Sequence, residues 1–200
     1  MTKHIKLGVV LNGPPGCGKD TIANEIVKLP ETAKRQFKDA LYGHTAKHFE
    51  VDLDKFIHYA SDRNLKDSTS LAGLGGRTPR QALIHVSEDI FKPRYGSDYF
   101  GKVEASNVET CYGHLDSDIT IIYPDGGFPD EVAVIDSCFD FVIVVRLHRA
   151  GFDFAGDSRD YIHLPDSPKR TSCDLILEDN NIEKGVAAVH YLIENILRVL

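Results

Sequence analysis

The nine residues Gly13-Pro14-Pro15-Gly16-Cys17-Gly18-Lys19-Asp20-Thr21 constrain this chain more than any other stretch. They follow an apolar, strand-like run at residues 5–12 and open into a run with helical spacing at 21–29. Strand, glycine-rich loop and helix in that order are the context of a phosphate-binding P-loop. Gly13, Gly16 and Gly18 let the backbone turn tightly and bring its N–H groups against phosphate oxygens. The loop ends at a helix N-terminus, whose orphan N–H groups and dipole favour an anion. Lys19 is placed to reach the outer phosphates as a mobile point charge, and Cys17 reads as a small loop residue. The usual pattern has Ser or Thr after the Lys to bind magnesium. Here Asp20 and then Thr21 offer hard oxygens, and either could serve the metal.

Two hundred residues suit one α/β domain with a sizeable core. With 42% hydrophobic and 26% charged residues the chain has the composition of an ordinary soluble globular protein. Its formal net charge of −7 argues against nonspecific attraction to a nucleic-acid backbone. The expected partner is therefore a small phosphorylated molecule held by a few local cations. Cys17, Cys111, Cys138 and Cys173 show neither a C-x-x-C pair nor zinc spacing, so free thiols in a reducing cytoplasm are expected. The glycine-rich loop comes too early for a signal peptide, and no apolar run is long enough to span a bilayer. A cytoplasmic protein without a membrane partner follows.

Strand candidates at 5–12, 35–38, 119–123, 139–147 and 175–177 alternate with helical runs. One run starts at Asp39 and carries Leu41, Ala46 and Phe49; a second is capped by Asp52; a third opens at Thr78-Pro79 and runs through Ile90 towards Pro93. Further helices are expected at 98–110, 131–138 and 182–200. Residues 62–76 read as a polar, Gly-rich connection, and His44 and His48 as exposed helical neighbours. The alternation argues a single α/β domain over residues 1–200, built on a doubly wound parallel sheet of five strands. Ligands of such sheets sit at the carboxyl ends of the strands, where the glycine-rich loop, Asp39, Asp125, Arg146 and Asp179 fall.

Asp125 ends an apolar strand, the place of a magnesium-organising carboxylate or of a turn former. Arg77 and Arg80 flank Thr78-Pro79, where positive charge opposes the helix dipole. Either a substrate phosphate or local acidic residues should compensate it. Arg146, Arg149 and Arg159 border a polar insertion at about 148–169, where a closing lid would bring cations over a transferring phosphoryl group. The absence of Asn-Lys-x-Asp disfavours a GTPase switch.

Further segments carry a resemblance. Gly18-Lys19-Asp20-Thr21 is similar to the variant P-loop of the bacteriophage deoxynucleoside monophosphate kinases, a branch of the P-loop monophosphate kinases. Phe37-Lys38-Asp39-Ala40-Leu41 looks like the segment after that family's second strand. Thr78-Pro79-Arg80-Gln81-Ala82-Leu83, with Ser87-Glu88, Gly96, Asp98 and Tyr99-Phe100, resembles its substrate-side helices. Tyr123-Pro124-Asp125 and Phe128-Pro129-Asp130-Glu131 resemble its strand-end Asp and following helix. Asp174-Leu175-Ile176-Leu177 with Asp179-Asn180 looks like its last strand and base-side loop. The resemblance covers nearly the whole chain in order. Related enzymes often carry Arg soon after the strand-end Asp, where this chain has Gly126-Gly127.

The resemblance implies a P-loop NTPase-type three-layer α/β/α fold, with a helical acceptor-binding region at about 39–112 and a lid at about 148–169. It implies transfer of the γ-phosphoryl group of ATP to a deoxynucleoside 5′-monophosphate, with magnesium. On this reading Gly13, Gly16, Cys17, Gly18, Lys19, Asp20, Thr21 and Asn180 hold ATP, and Asp20, Thr21 and Asp125 organise the metal. Lys38, Asp39, Arg77, Arg80 and Gln81 hold the acceptor, and Lys19, Arg149 and Arg159 act on the transferring group. Two alternatives stay open: a P-loop kinase of another small metabolite, such as dephospho-coenzyme A, and a non-catalytic ATP-binding module. A homodimer also stays open, and the resemblance implies the host cytoplasm if the chain is encoded by a phage.

Overall fold

A computed structural model describes residues 4–62, 64–157, 159–179 and 181–200. Its centre is β1 (Lys6–Asn12), buried at every position from Leu7 onward. In sequence order there follow α1 (Lys19–Ile26), β2 (Thr32–Lys34), α2 (Lys38–His48), α3 (Leu53–Ser61), α4 (Leu65–Ser68), α5 (Pro79–Ile84), α6 (Lys92–Tyr95), α7 (Tyr99–Tyr112), β3 (Ile119–Tyr123), α8 (Pro129–Ile135), β4 (Phe141–Arg149), β5 (Arg170–Leu177) and α9 (Ile182–Val199). All five strands are parallel, in the order β2-β3-β1-β4-β5.

Alternation along the strands explains why both faces are covered. Leu7, Val9 and Leu11 point to one side with Ile122, Ile143 and Val145, where Ile22 and Ile26 of α1 and Val189 and Ile193 of α9 close the core. Val10 points to the other with Ile121, Tyr123, Val142 and Val144, against Val108 of α7 and Val132 and Ile135 of α8. Strands buried on both faces read as near-continuous apolar runs, and those of β1, β3 and β4 do. A separate small core of Tyr42, Ala46, Phe56, Ala60, Leu74, Ala82 and Leu83 holds α2, α3 and α5 together beside the sheet.

Several boundaries differ from the expectation, each for a tertiary reason. The second strand is Thr32–Lys34 and not residues 35–38. The chain leaves the sheet there because Arg35 turns inward to a two-point ion pair with buried Glu104 (2.7 and 2.8 Å), which also accepts from the Tyr123 hydroxyl at 3.0 Å. β5 begins at Arg170, ahead of the expected 175. It is an edge strand, so its polar Thr171, Ser172 and Asp174 hid the earlier part.

Residues 62–76 are not a bare connection, for they contain α4 and a 3₁₀ turn, Ala72–Leu74, with Leu74 fully buried. The helix opened by Thr78-Pro79 continues past Pro93 to Tyr95. A π-helical stretch, His85–Phe91, lies immediately before that proline, whose ring and missing N–H do not fit an α-helical interior. The short helix starts at Pro129 and not at 131. His44 is not exposed: it packs against Phe91, Tyr99 and Phe100. No helix among the described residues is long and apolar enough to cross a membrane.

Candidate functional site

Between β1 and α1 the backbone passes through left-handed glycines, Gly16 (φ 80°) and Gly18 (φ 117°). Gly18 precedes α1 without a side-chain cap, so the first N–H groups of the helix are left for another acceptor. At Gly13 a Cβ would stand 2.8 Å from the Leu147 carbonyl and 3.0 Å from the Cys17 sulfur, which excludes any side chain. Lys19 folds back over this loop: its Nζ donates to the carbonyls of Gly13 (2.6 Å) and Pro14 (2.8 Å). Burial lowers its pKa; Cys17 pulls the other way and Arg159 adds to the lowering. Asp20 and Thr21 are exposed on the first turn of α1.

A second group of charges gathers beyond the end of β3. The two oxygens of Asp125 accept from the backbone N–H groups of Phe37 (3.2 Å) and Lys38 (3.1 Å). Asp125 thereby caps the start of α2 from another part of the chain, and burial raises its pKa to about 6 against the pull of Lys38. Its carboxylate is engaged by amides where the sequence pointed to a metal ligand. Among the described residues no group of three or more His, Cys, Asp or Glu is placed to hold a metal. Asp20 and Thr21, exposed on the first turn of α1, are the hard oxygen donors next to the loop that would hold magnesium.

Arg80 makes a two-point ion pair with Asp67, Nη2 lying 3.1 Å from Oδ2. Arg159 does the same with Asp157 (2.8 and 2.7 Å). The Arg159 side chain runs over Gly127, where any Cβ would overlap it. The space after Asp125, at Gly126-Gly127, is thus filled by an arginine from the 148–169 segment. Lys66 of α4 is half-buried and feels the charges of Arg80, Lys38 and Arg159. Burial and those three cations, in that order, lower its pKa to about 8. Sequence reading missed Lys66, because it lies in the stretch taken as a connector.

Also missed was Asn12, the polar end of β1. Its Nδ2 donates to the carbonyls of Gly126 (3.1 Å) and Asp160 (3.2 Å), and its Oδ1 accepts from the Ile162 N–H (2.9 Å). One buried amide thus ties the strand, the Gly126-Gly127 turn and the 148–169 segment together. That segment is fastened along its second half: Ile162 is buried, Arg146 donates to the Ile162 carbonyl (3.2 Å) and the Tyr161 hydroxyl to that of Leu147 (3.2 Å). The sequence signal for Asn12 was a lone amide closing an apolar run.

Beside Cys17 of the glycine-rich loop is a cleft of about 230 Å³, lined also by Arg149, Leu177, Glu178, Asn181 and Ile182. Arg149 reaches Asp179 (3.0 Å) and lies 4.8 Å over the Phe152 ring. Asn180, expected here, falls outside the described residues.

Two expected acceptor residues stand apart from the cationic group. Arg77 lies 5.8 Å over the Phe49 ring, with Nη1 3.5 Å from the Leu74 carbonyl. Gln81 accepts from the Thr78 N–H (2.9 Å) while its own N–H donates to the Thr78 hydroxyl (3.2 Å). This capping box fixes the start of α5 and commits the Gln81 carbonyl oxygen. Asp39 is exposed on the first turn of α2, beside Lys38. Compared with known proteins, the chain matches neither a protein-family profile nor a curated sequence.

Proposed function

We propose that this chain is a P-loop kinase that transfers the γ-phosphoryl group of ATP to a deoxynucleoside 5′-monophosphate. The observation that carries the reading is the uncapped start of α1 behind left-handed Gly16 and Gly18, with five electrostatically coupled cations, Lys19, Lys38, Lys66, Arg80 and Arg159, in a chain of net charge −7. They come from four helices and the 148–169 segment, so the fold itself assembles them. Phosphoryl transfer asks for little covalent chemistry beyond positioning and charge neutralisation.

Lys19 and the loop amides hold the donor phosphates, with Lys19 exchanging its two loop carbonyls for phosphate oxygens. The cleft beside Arg149 and Asn181 takes the rest of the donor. Lys38, Lys66 and Arg80 hold the acceptor phosphate, and Arg159, over Gly127, stands between the two groups. Asp20 and Thr21 hold magnesium, which when bound neutralises phosphate charge and orients the oxygens. Asp125 anchors α2 and so positions Lys38.

A coupled assay with ATP and magnesium, run over a panel of deoxynucleoside monophosphates with dephospho-coenzyme A alongside, tests the reading. Turnover with monophosphates is expected, and Lys19→Ala should abolish it while the circular dichroism of the fold persists. Turnover with dephospho-coenzyme A alone would replace the acceptor. ATP binding without turnover on any acceptor would leave a non-catalytic module.

A further inference from the structure

Between α1 and α9 lies a groove of about 430 Å³, within the size range of small-molecule sites. Its apolar lining is Ile26 and Leu29 from α1 and Ile182 and Val186 from α9. Ile26 is buried and the other three are half-buried, so the groove exposes part of the core that joins the two helices. Two exposed carboxylates, Glu25 and Glu183, line it as well, one from each helix. Glu25 pairs with Lys28 at 2.6 Å. Glu183 has no hydrogen bond or ion pair among the described residues. His190, which also lines the groove, faces a third carboxylate, Glu194, at 3.7 Å. An apolar surface beside a free carboxylate, in a chain of net charge −7, disfavours an anion and matches a ligand with an apolar body and a positive charge.

One side chain connects this groove with the glycine-rich loop. Ile182 lines both the groove and the cleft beside Cys17. A Cβ at Gly18 would stand 3.3 Å from its Cδ1, so Ile182 lies directly against the loop. Gly185, one turn further along α9, lets the helix approach so closely that a Cβ there would stand 2.9 Å from Leu177 and 3.4 Å from Ile22. Thr21, on the first turn of α1, lines the groove from the loop side.

We propose that the α1–α9 groove is a regulatory site for a small organic cation with an apolar body, of the alkylammonium class, and that its occupation strengthens nucleotide binding at the glycine-rich loop. The body packs on Ile26, Leu29, Ile182 and Val186, and the ammonium group pairs with Glu183. The sign of the coupling follows from charge. Glu183 lies in the first turn of α9, next to Asn181 and Ile182 of the cleft beside Cys17. Its carboxylate therefore opposes an incoming polyphosphate, and a bound cation offsets it. The same ligand holds Ile182 against Gly18. Coupling between two sites is reciprocal, so the nucleotide strengthens binding of the cation by the same factor. The site and its ligand class stand without the kinase reading; only the nucleotide as the coupled partner rests on it.

Calorimetric titration of the full chain with n-alkylammonium ions from butyl to octyl, with hexanol as the uncharged control, tests the groove without nucleotide. Affinity should rise about two- to fourfold per methylene. Hexanol should bind about two- to fivefold more weakly than hexylammonium. Glu183→Gln should bring hexylammonium to the level of hexanol. Ala187→Leu, which fills the groove from an exposed helix position, should abolish binding of both. Saturating hexylammonium should lower the Kd for ATP about two- to fivefold in wild type and leave it unchanged in Ala187→Leu. Equal binding of hexanol and hexylammonium, amine binding that either variant leaves at the wild-type level, or a measurable ATP Kd that the amine does not lower would each overturn the proposal. Groove titrations that behave as expected in a protein that binds no ATP would defeat the nucleotide reading alone. ATP binding and coupling without turnover on any monophosphate would defeat the kinase reading alone.

Discussion

Asp20 stands where a hydroxyl residue is usual after the loop lysine, and the substitution changes what the first turn of α1 offers a metal. A carboxylate is a stronger hard ligand than a hydroxyl, but on the proposed reading it would also bring negative charge towards the nucleotide phosphates. Asp20→Ala is expected to raise the magnesium concentration needed for half-maximal turnover sharply, while Asp20→Ser keeps part of the activity. A magnesium titration unchanged in both variants would move the metal role to Thr21. Asp125 teaches the complementary lesson. Its place after an apolar strand was visible in the sequence, but two roles fitted that place. Only the approach of α2 shows its oxygens on the amides of Phe37 and Lys38.

Elements are joined here by a few buried polar side chains, and Asn12 is the one with most consequence. Replacing it with Ala leaves the carbonyls of Gly126 and Asp160 and the N–H of Ile162 without their partner. Unsatisfied buried groups of this kind cost about 1–3 kcal/mol. Because the three partners lie on two separate loops, the loss should appear first as local opening. Asn12→Ala should therefore show faster amide exchange at Tyr161 and Ile162 than in β3, together with a lowered kcat through a less well held Arg159. Protection at Ile162 equal to that of wild type would show that Arg146 and Tyr161 fasten the segment without it. The π-helical stretch His85–Phe91 belongs to this scale too. Sequence marked a helix and a proline, and the structure keeps both by widening one turn.

For the whole molecule, the dependence of stability on pH is shaped by Glu131, a buried carboxyl on the first turn of α8 (6% exposed). It has no hydrogen-bond or salt-bridge partner among the described residues. Burial, reinforced by Asp125 and opposed by Lys92, pushes its pKa up to about 8. The folded-state value lies above the ordinary carboxylate value, so the fold favours the neutral acid. Its contribution is full below the unfolded pKa and is lost as the pH rises through about 8. Glu131→Gln stays neutral at every pH, so its thermal midpoint should fall less than that of wild type as the pH rises from 4.5 to about 8. Parallel curves for the two proteins would mean that Glu131 is solvated or paired when ionised.

What the sequence determined by itself was what is written within a few residues. The apolar run of β1, the glycine-rich turn and the helix after it, the Asp52 cap on Lys55 (2.8 Å) and the bounds of β3 all follow from local pattern and local hydrogen bonding. Arg80 could be named as a candidate because a cation at a helix start is locally out of place. Tertiary structure alone decided which charges meet. Arg77 and Arg80 are one helical turn apart, yet the first packs on Phe49 and the second acts on the charge of Lys66. Arg159 lies over Gly127, and Lys66, in a stretch without periodicity, feels its charge too. The reason is physical: backbone conformation is largely set by neighbours along the chain, whereas burial and electrostatic coupling depend on distances that the crossovers between parallel strands create.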